Sequence, residues 1–156
     1  MTLDTFFRIG ETVTLGSHAF TADEIKRFAQ KYDPQPFHTD ETAAENSVFG
    51  RLCASGWHTC AMWMRYNQAE MERATPSVWD GPGPRPEFGP SPGFSNLKWT
   101  KPVYAGDTIT FTRKTISHRA LTSRPGWRLL SLNAGAFNQD EQVVLTFDNA
   151  VLVKTE

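Results

Sequence analysis

The segment from Leu52 to Tyr66, Leu-Cys-Ala-Ser-Gly-Trp-His-Thr-Cys-Ala-Met-Trp-Met-Arg-Tyr, constrains the fold more than any other part of the chain. Its apolar residues fall around most of a helical wheel rather than along one stripe. A helix apolar on nearly every side is buried on nearly every side. It is too short to span a bilayer, which takes about 20 consecutive apolar residues. The remainder of the 156-residue chain must therefore wrap it. The second half of the chain is strand-like: apolar alternation runs over 94–100, 108–116, 127–137 and 142–153, with Asn138-Gln139-Asp140-Glu141 as a polar turn between the last two. Helices first and strands afterwards predict an α+β chain with helix segregated from sheet. A curved antiparallel sheet around 52–66 would bury that helix without a second layer.

Ahead of it, Val13 and Leu15 around Gly16 fit a short strand or hairpin within 11–20. Thr21-Ala-Asp-Glu is a capping box, in which the Thr21 hydroxyl accepts from the amide of residue 24 and Glu24 reaches back. Ile25, Phe28, Ala29 and Tyr32 then give the helix one apolar face. Pro34 disfavours helical geometry at Asp33, and Pro36 stiffens the next step, so the chain leaves the helix in an extended, rigid turn. Asp40 can cap a second short helix through Thr42, Ala43 and Ala44. The 75–93 segment carries Pro76, Pro82, Pro84, Pro86, Pro90 and Pro92 with Trp79 and Phe88 embedded, and reads as a long irregular loop. No internal repeat is visible, and the length fits one domain over 1–156.

Lys plus Arg number 16 against 17 Asp plus Glu, and the basic residues between Arg113 and Arg128 form no stripe. The electrostatic footprint of a nucleic-acid partner is missing. The N-terminus lacks the apolar region of a secretory signal, and no stretch is long enough to span a membrane, so a cytoplasmic protein is expected. Cys53 and Cys60, seven apart in the expected helix, are beyond disulfide reach and read as small buried apolar residues.

The most unusual stretch is Tyr-Asp-Pro-Gln-Pro-Phe-His-Thr-Asp, residues 32–40. Two prolines restrict the backbone between a carboxylate at Asp33 and an imidazole at His38. Preorganised titratable pairs are what general acid–base chemistry needs. The plainer alternative is a helix-terminating turn with a capping Asp and an exposed His, and composition alone does not choose between them. His38 and Asp40 without further spaced ligands fall short of a zinc site, and no metal is expected. Ser55-Gly56 opens the central helix, where free amides carry partial positive charge and could hold an oxygen that becomes negative during reaction. Gly56 either lets a substrate approach the backbone or permits tight helix–sheet packing. Gly-Xaa-Ser-Xaa-Gly is absent, so Ser55 has little support as a nucleophile.

At these residues the chain resembles the MaoC-like family, which includes (R)-specific enoyl-CoA hydratases. Asp33, Pro36, His38 and Asp40 match one family pattern. Phe49-Gly50 followed by the helix-opening Gly56 matches a second, and Lys-Pro-Val-Tyr-Ala-Gly-Asp at 101–107 looks like the family's turn between two strands. The resemblance implies a single hot-dog fold that pairs into a homodimer, with an acyl-CoA substrate and no metal or redox cofactor. It implies reversible hydration of a trans-2-enoyl-CoA to a 3-hydroxyacyl-CoA. In that chemistry Asp33 and His38 are catalytic: they hold one water, Asp33 acts as base on it, and His38 handles the proton at the α carbon. The Gly56 amide receives the thioester oxygen. The chain departs from the family at Gln35, where many members have Asn, at Phe37, at Ser55, where many hydratases have His, and at Met64, where well-studied ones have Ser. With Trp57 and Trp63, these departures put the acyl group in question. Arg51, Lys98 and Lys101 are candidates for the CoA phosphates. Two rivals remain. One is a hot-dog thioesterase, which would carry an acid on the central helix; 52–66 has none, and Glu70 is the first after it. The other is a non-catalytic acyl-binding module.

Overall fold

The computed structural model describes residues 1–156. Short helices and one strand come first: α1 (Leu3–Phe7), β1 (Thr12–Ala19), α2 (Ala22–Tyr32), α3 (Pro36–Thr39) and α4 (Glu41–Glu45). The long helix α5 (Gly56–Ala74) comes next, and then β2 (Glu87–Phe88), β3 (Gly93–Trp99), β4 (Thr108–Ala120), β5 (Trp127–Phe137) and β6 (Val143–Lys154). All strand pairings are antiparallel, in the order β1-β4-β5-β6, and the outer side of β6 is shared by β3 and, at its end, β2. The strand-like runs in the second half of the sequence thus form most of the sheet, which β1 completes at one edge, and Asn138–Glu141 is the turn between β5 and β6.

One face of the curled sheet packs on α5. Trp63 is fully buried, its ring centroid 4.9 Å from that of Phe147 in an edge-to-face arrangement and its indole N–H donating to the Thr112 carbonyl at 2.9 Å. Ile109, Phe111 and Leu145 surround it with no exposed surface. Each such side chain contributes about 1.5–3 kcal/mol relative to exposure.

Of the two alternatives for 11–20, the strand is the one formed, with an irregularity between Thr14 and Gly16. Gly16 has φ +144°, and a Cβ there would lie 2.6 Å from the Tyr66 ring, so that ring dictates the glycine. The central helix opens at Gly56, as the Ser55-Gly56 step leads one to expect, so the apolar run is not helical over 52–55, and the helix continues beyond Tyr66 to Ala74. Residues 52–55 are extended because they pair with the turn before β4: Ala54 N–H donates to Val103 O and Ala105 N–H to Leu52 O. Nor is α5 covered all round. Trp57, Ala61, Met64 and Gln68 form an outward strip, with Trp57 50% and Met64 42% exposed, because the sheet curls over one side only. Helix α1 is an addition to the expected elements. Thr2 caps it, and its Phe6 and Phe7 pack on Leu130, Leu132 and Val153. No helix is long and apolar enough to cross a membrane.

Candidate active site

Thr21 caps α2 as expected, its hydroxyl accepting from Glu24 N–H at 3.2 Å. Glu24 does not reach back. Its carboxylate instead accepts from His18 Nε2 at 2.8 Å and His58 Nε2 at 3.3 Å, tying β1, α2 and α5 together. The Tyr66 hydroxyl lies 3.1 Å from His18 Nδ1, whereas His58 Nδ1 is buried without a partner. Burial pushes the His58 imidazole below its ordinary value, with Glu24 opposing the shift.

At the other end of α2, Asp33 N–H still donates to Ala29 O, but φ −155° and ψ 71° take the chain out of the helix, as Pro34 requires. The turn after it is only partly extended. Pro36 occupies the first position of the one-turn helix α3, where its fixed φ suits a helix. That turn swings His38 inward, to 6% exposure. His38 Nδ1 lies 2.6 Å from the Cys53 carbonyl. A carbonyl oxygen only accepts, so Nδ1 carries a hydrogen and Nε2 is the nitrogen left for chemistry. Nε2 faces Asp33 Oδ2 at 3.5 Å, too long for a direct hydrogen bond. The rigid turn has therefore brought the two predicted side chains face to face.

Both carboxylate oxygens of Asp33 are held. Gln35 Nε2 donates to Oδ1 at 2.8 Å, and the fully buried Ser55 hydroxyl donates to Oδ2 at 2.7 Å. The Ser55 contact had no signal in the sequence beyond its position before a helix, since Asp33 and Ser55 are 22 residues apart. Ser55 is also the N-cap of α5: its hydroxyl accepts from Trp57 N–H at 3.3 Å, and its carbonyl takes the His58 and Thr59 amides. The Gly56 amide has no acceptor within the chain. A Cβ on Gly56 would stand 2.3 Å from the Trp99 indole, so tight packing accounts for the glycine, while its N–H stays available.

Asp33, His38 and Gly56 line one pocket of about 570 Å³, with Phe37, Trp57 and Trp99 among its walls. That volume falls in the range of small-molecule sites. Lys101 lines it too, and Arg51 stacks on Tyr104 at 3.9 Å. Lys98 lies on β3, outside the lining. Asp40 is elsewhere engaged, accepting from Ala43 N–H at 2.7 Å as the cap of α4. Cys53 also faces the pocket, but burial pushes its thiol up to about 11, which keeps it protonated and unreactive. Cys60 is shifted the same way by burial.

The MaoC like domain matches residues 6–124, more than half of the sequence. The chain belongs to the MaoC-like family. Among solved structures, this MaoC-like chain is similar to the MaoC-like dehydratase from Rhodospirillum rubrum, with 31% identity, a TM-score of 0.77, and coverage of 95% of this chain and 93% of that one. It is 26% identical to the uncharacterized protein YdeM of Bacillus subtilis over 149 residues, 95% of this chain and 96% of that protein. The (R)-hydratase from A. caviae involved in PHA biosynthesis shares the fold, with a TM-score of 0.67 at 22% identity over 95% of this chain and 96% of that one. The curved sheet around α5 is accordingly the hot-dog fold of MaoC-like structures.

Proposed function

We propose that this MaoC-like chain catalyses the reversible hydration of a trans-2-enoyl-CoA to a 3-hydroxyacyl-CoA. The observation that carries the reading is the facing pair of Asp33 Oδ2 and His38 Nε2, 3.5 Å apart in a pocket that also contains a free helix N-terminal amide. Two groups at that spacing, not bonded to each other, suit the capture of one water. Asp33 removes a proton from that water as its oxygen adds to the β carbon. His38, protonated on Nε2, delivers a proton to the α carbon. The alkene gains one hydroxyl and one hydrogen, and return of the proton from Asp33 to His38 restores both groups. Electron density moves meanwhile onto the thioester oxygen. The Gly56 N–H, at the positive end of a 19-residue helix, is the donor available to it. No electron changes hands, so the proposal calls for no metal or redox cofactor. Arg51 and Lys101, which have no carboxylate partner, would meet the CoA phosphates. A homodimer is part of the reading: β3 pairs only with β6, and the exposed Trp99 on it meets Trp57 of the outward strip of α5.

The thioesterase reading needs an acid on the central helix, and the longer α5 does include two, the exposed Glu72 and the buried Glu70. The Glu70 carboxylate is bound to Arg113 at 2.7 Å and Arg8 at 3.2 Å and lines a different cavity. Incubation with crotonyl-CoA and longer enoyl-CoAs tests the choice, following the conjugated absorbance and free thiol together. Loss of absorbance without thiol is expected, and it falls about a hundredfold or more in Asp33→Asn and in His38→Ala. Thiol release would establish hydrolysis instead, and near-wild-type turnover in either variant would remove the pair from the mechanism.

A further inference from the structure

We infer that Ser55 is a positioning residue, the link that sets Asp33 against the Gly56 amide. The inference rests on the hydratase reading of the pocket.

Asp33 stands at the C-terminal end of α2, the end at which a helix disfavours negative charge. Its carboxylate leaves that end and crosses to the start of α5, where the Ser55 hydroxyl meets it at 2.7 Å. Ser55 is fully buried, so water cannot substitute for this donor. The oxygen that it holds, Oδ2, is the one facing His38 Nε2. The same hydroxyl accepts from Trp57 N–H at 3.3 Å, which fixes its remaining lone-pair geometry and directs its hydrogen at Asp33. The peptide that joins Ser55 to the next residue carries the Gly56 N–H. One residue therefore holds the proposed base through its side chain and the proposed oxyanion donor through its backbone. A shift of Ser55 moves both at once.

Gln35 grips the other carboxylate oxygen from a position only two residues along, so it can restrain rotation of the carboxylate but cannot register it against α5. Ser55 can.

The test separates this role from ordinary helix capping. Ser55→Gly removes the hydroxyl but keeps a residue that caps a helix almost as well. Ser55→Ala removes both, and Ser55→Thr keeps the hydroxyl. In the glycine variant, kcat is expected to fall roughly tenfold to a hundredfold with KM within about twofold, because an oriented bond to a charged group is lost while substrate contacts remain. Ser55→Ala loses the cap as well as the bond to Asp33, so its melting temperature is the lower of the two, while kcat falls alike in both. Ser55→Thr recovers kcat. Wild-type kcat in Ser55→Gly would leave Ser55 a helix cap and overturn the inference.

An independent arm needs no turnover. The carbon-13 chemical shift of the Asp33 carboxyl at one fixed pH should move in Ser55→Gly and return toward wild type in Ser55→Thr, and an unchanged shift in Ser55→Gly would also overturn the inference. Should the wild-type protein hydrate no enoyl-CoA, the hydratase reading fails, while this resonance still decides whether Ser55 holds Asp33.

Discussion

Helix α5 has a buried polar cluster at each end, and the two are built on opposite terms. Toward its C-terminal end, Arg113 donates to Asn67 and to Glu70, both at 2.7 Å, and Arg8 reaches the other Glu70 oxygen at 3.2 Å. A cavity of about 390 Å³ lies beside this cluster, yet its central charges are already matched. An arginine holds its proton at any working pH, so the pair has none to trade. At the N-terminal end, Asp33 is steadied by Gln35 and Ser55 but stops 3.5 Å short of His38. A cavity alone does not mark chemistry. Groups held firmly and left unmatched toward that cavity do.

The largest effect expected from breaking this contrast is on folding. Glu70→Ala leaves the Arg113 guanidinium buried without its carboxylate and should destabilise the chain by about 3–5 kcal/mol, read from urea unfolding. Turnover per folded molecule should hold. Asp33→Asn should do the reverse, silencing turnover with stability nearly intact. A Glu70 variant that unfolds like wild type but no longer turns over would erase the distinction between the two ends.

Next is a steric test at the N-terminal end. Gly56→Ala drives a methyl into the Trp99 indole, 2.3 Å away, and is expected to lower kcat/KM roughly tenfold or more by displacing the first turn of α5. Adding Trp99→Ala makes room, so the double variant should recover part of the loss. Two independent losses that simply add would show that the methyl acts on something other than the indole.

The smallest effect is electrostatic and sharpens the comparison with a third cluster. His58 faces Glu24 and His18 and is stacked on Phe28 at 4.5 Å. Burial lowers its proton affinity in the folded state, so below the ordinary value of 6.5 the unfolded chain binds a proton that the native one refuses. Stability should decline as pH falls through that value and level off beneath the folded one. His58→Phe should flatten this part of the curve in unfolding titrations at a series of pH values. An equally steep decline in that variant would assign it to other groups.

What could be read in advance was local. The Thr21 and Asp40 caps, the Pro34 break and the β5–β6 turn each depend on residues within a few positions of one another, and all appear where the sequence puts them. The wrapped helix was legible as a type and in its opening at Ser55-Gly56, but not in its far limit. Residues 52–55 are apolar enough to continue a helix and are drawn into extended pairing by 103–105, a contact fifty residues away. The open strip on α5 was invisible because apolarity records that a surface is covered, not by what. At the site, Asp33 and His38 lie five residues apart and could be paired on paper. Ser55, the Cys53 carbonyl and Trp99 meet them only through the closure of α5 onto the sheet, and nothing in their own neighbourhoods announces it.

Trp57 and Trp99, ring centroids 5.0 Å apart at 84°, are half exposed and share the wall of the pocket, while Trp63 is sealed in the core. The protein thereby contains its own optical reporter. A ligand that entered beside Asp33 would displace water from these two indoles and leave Trp63 undisturbed, so intrinsic emission would register occupancy without a label and before any bond is made.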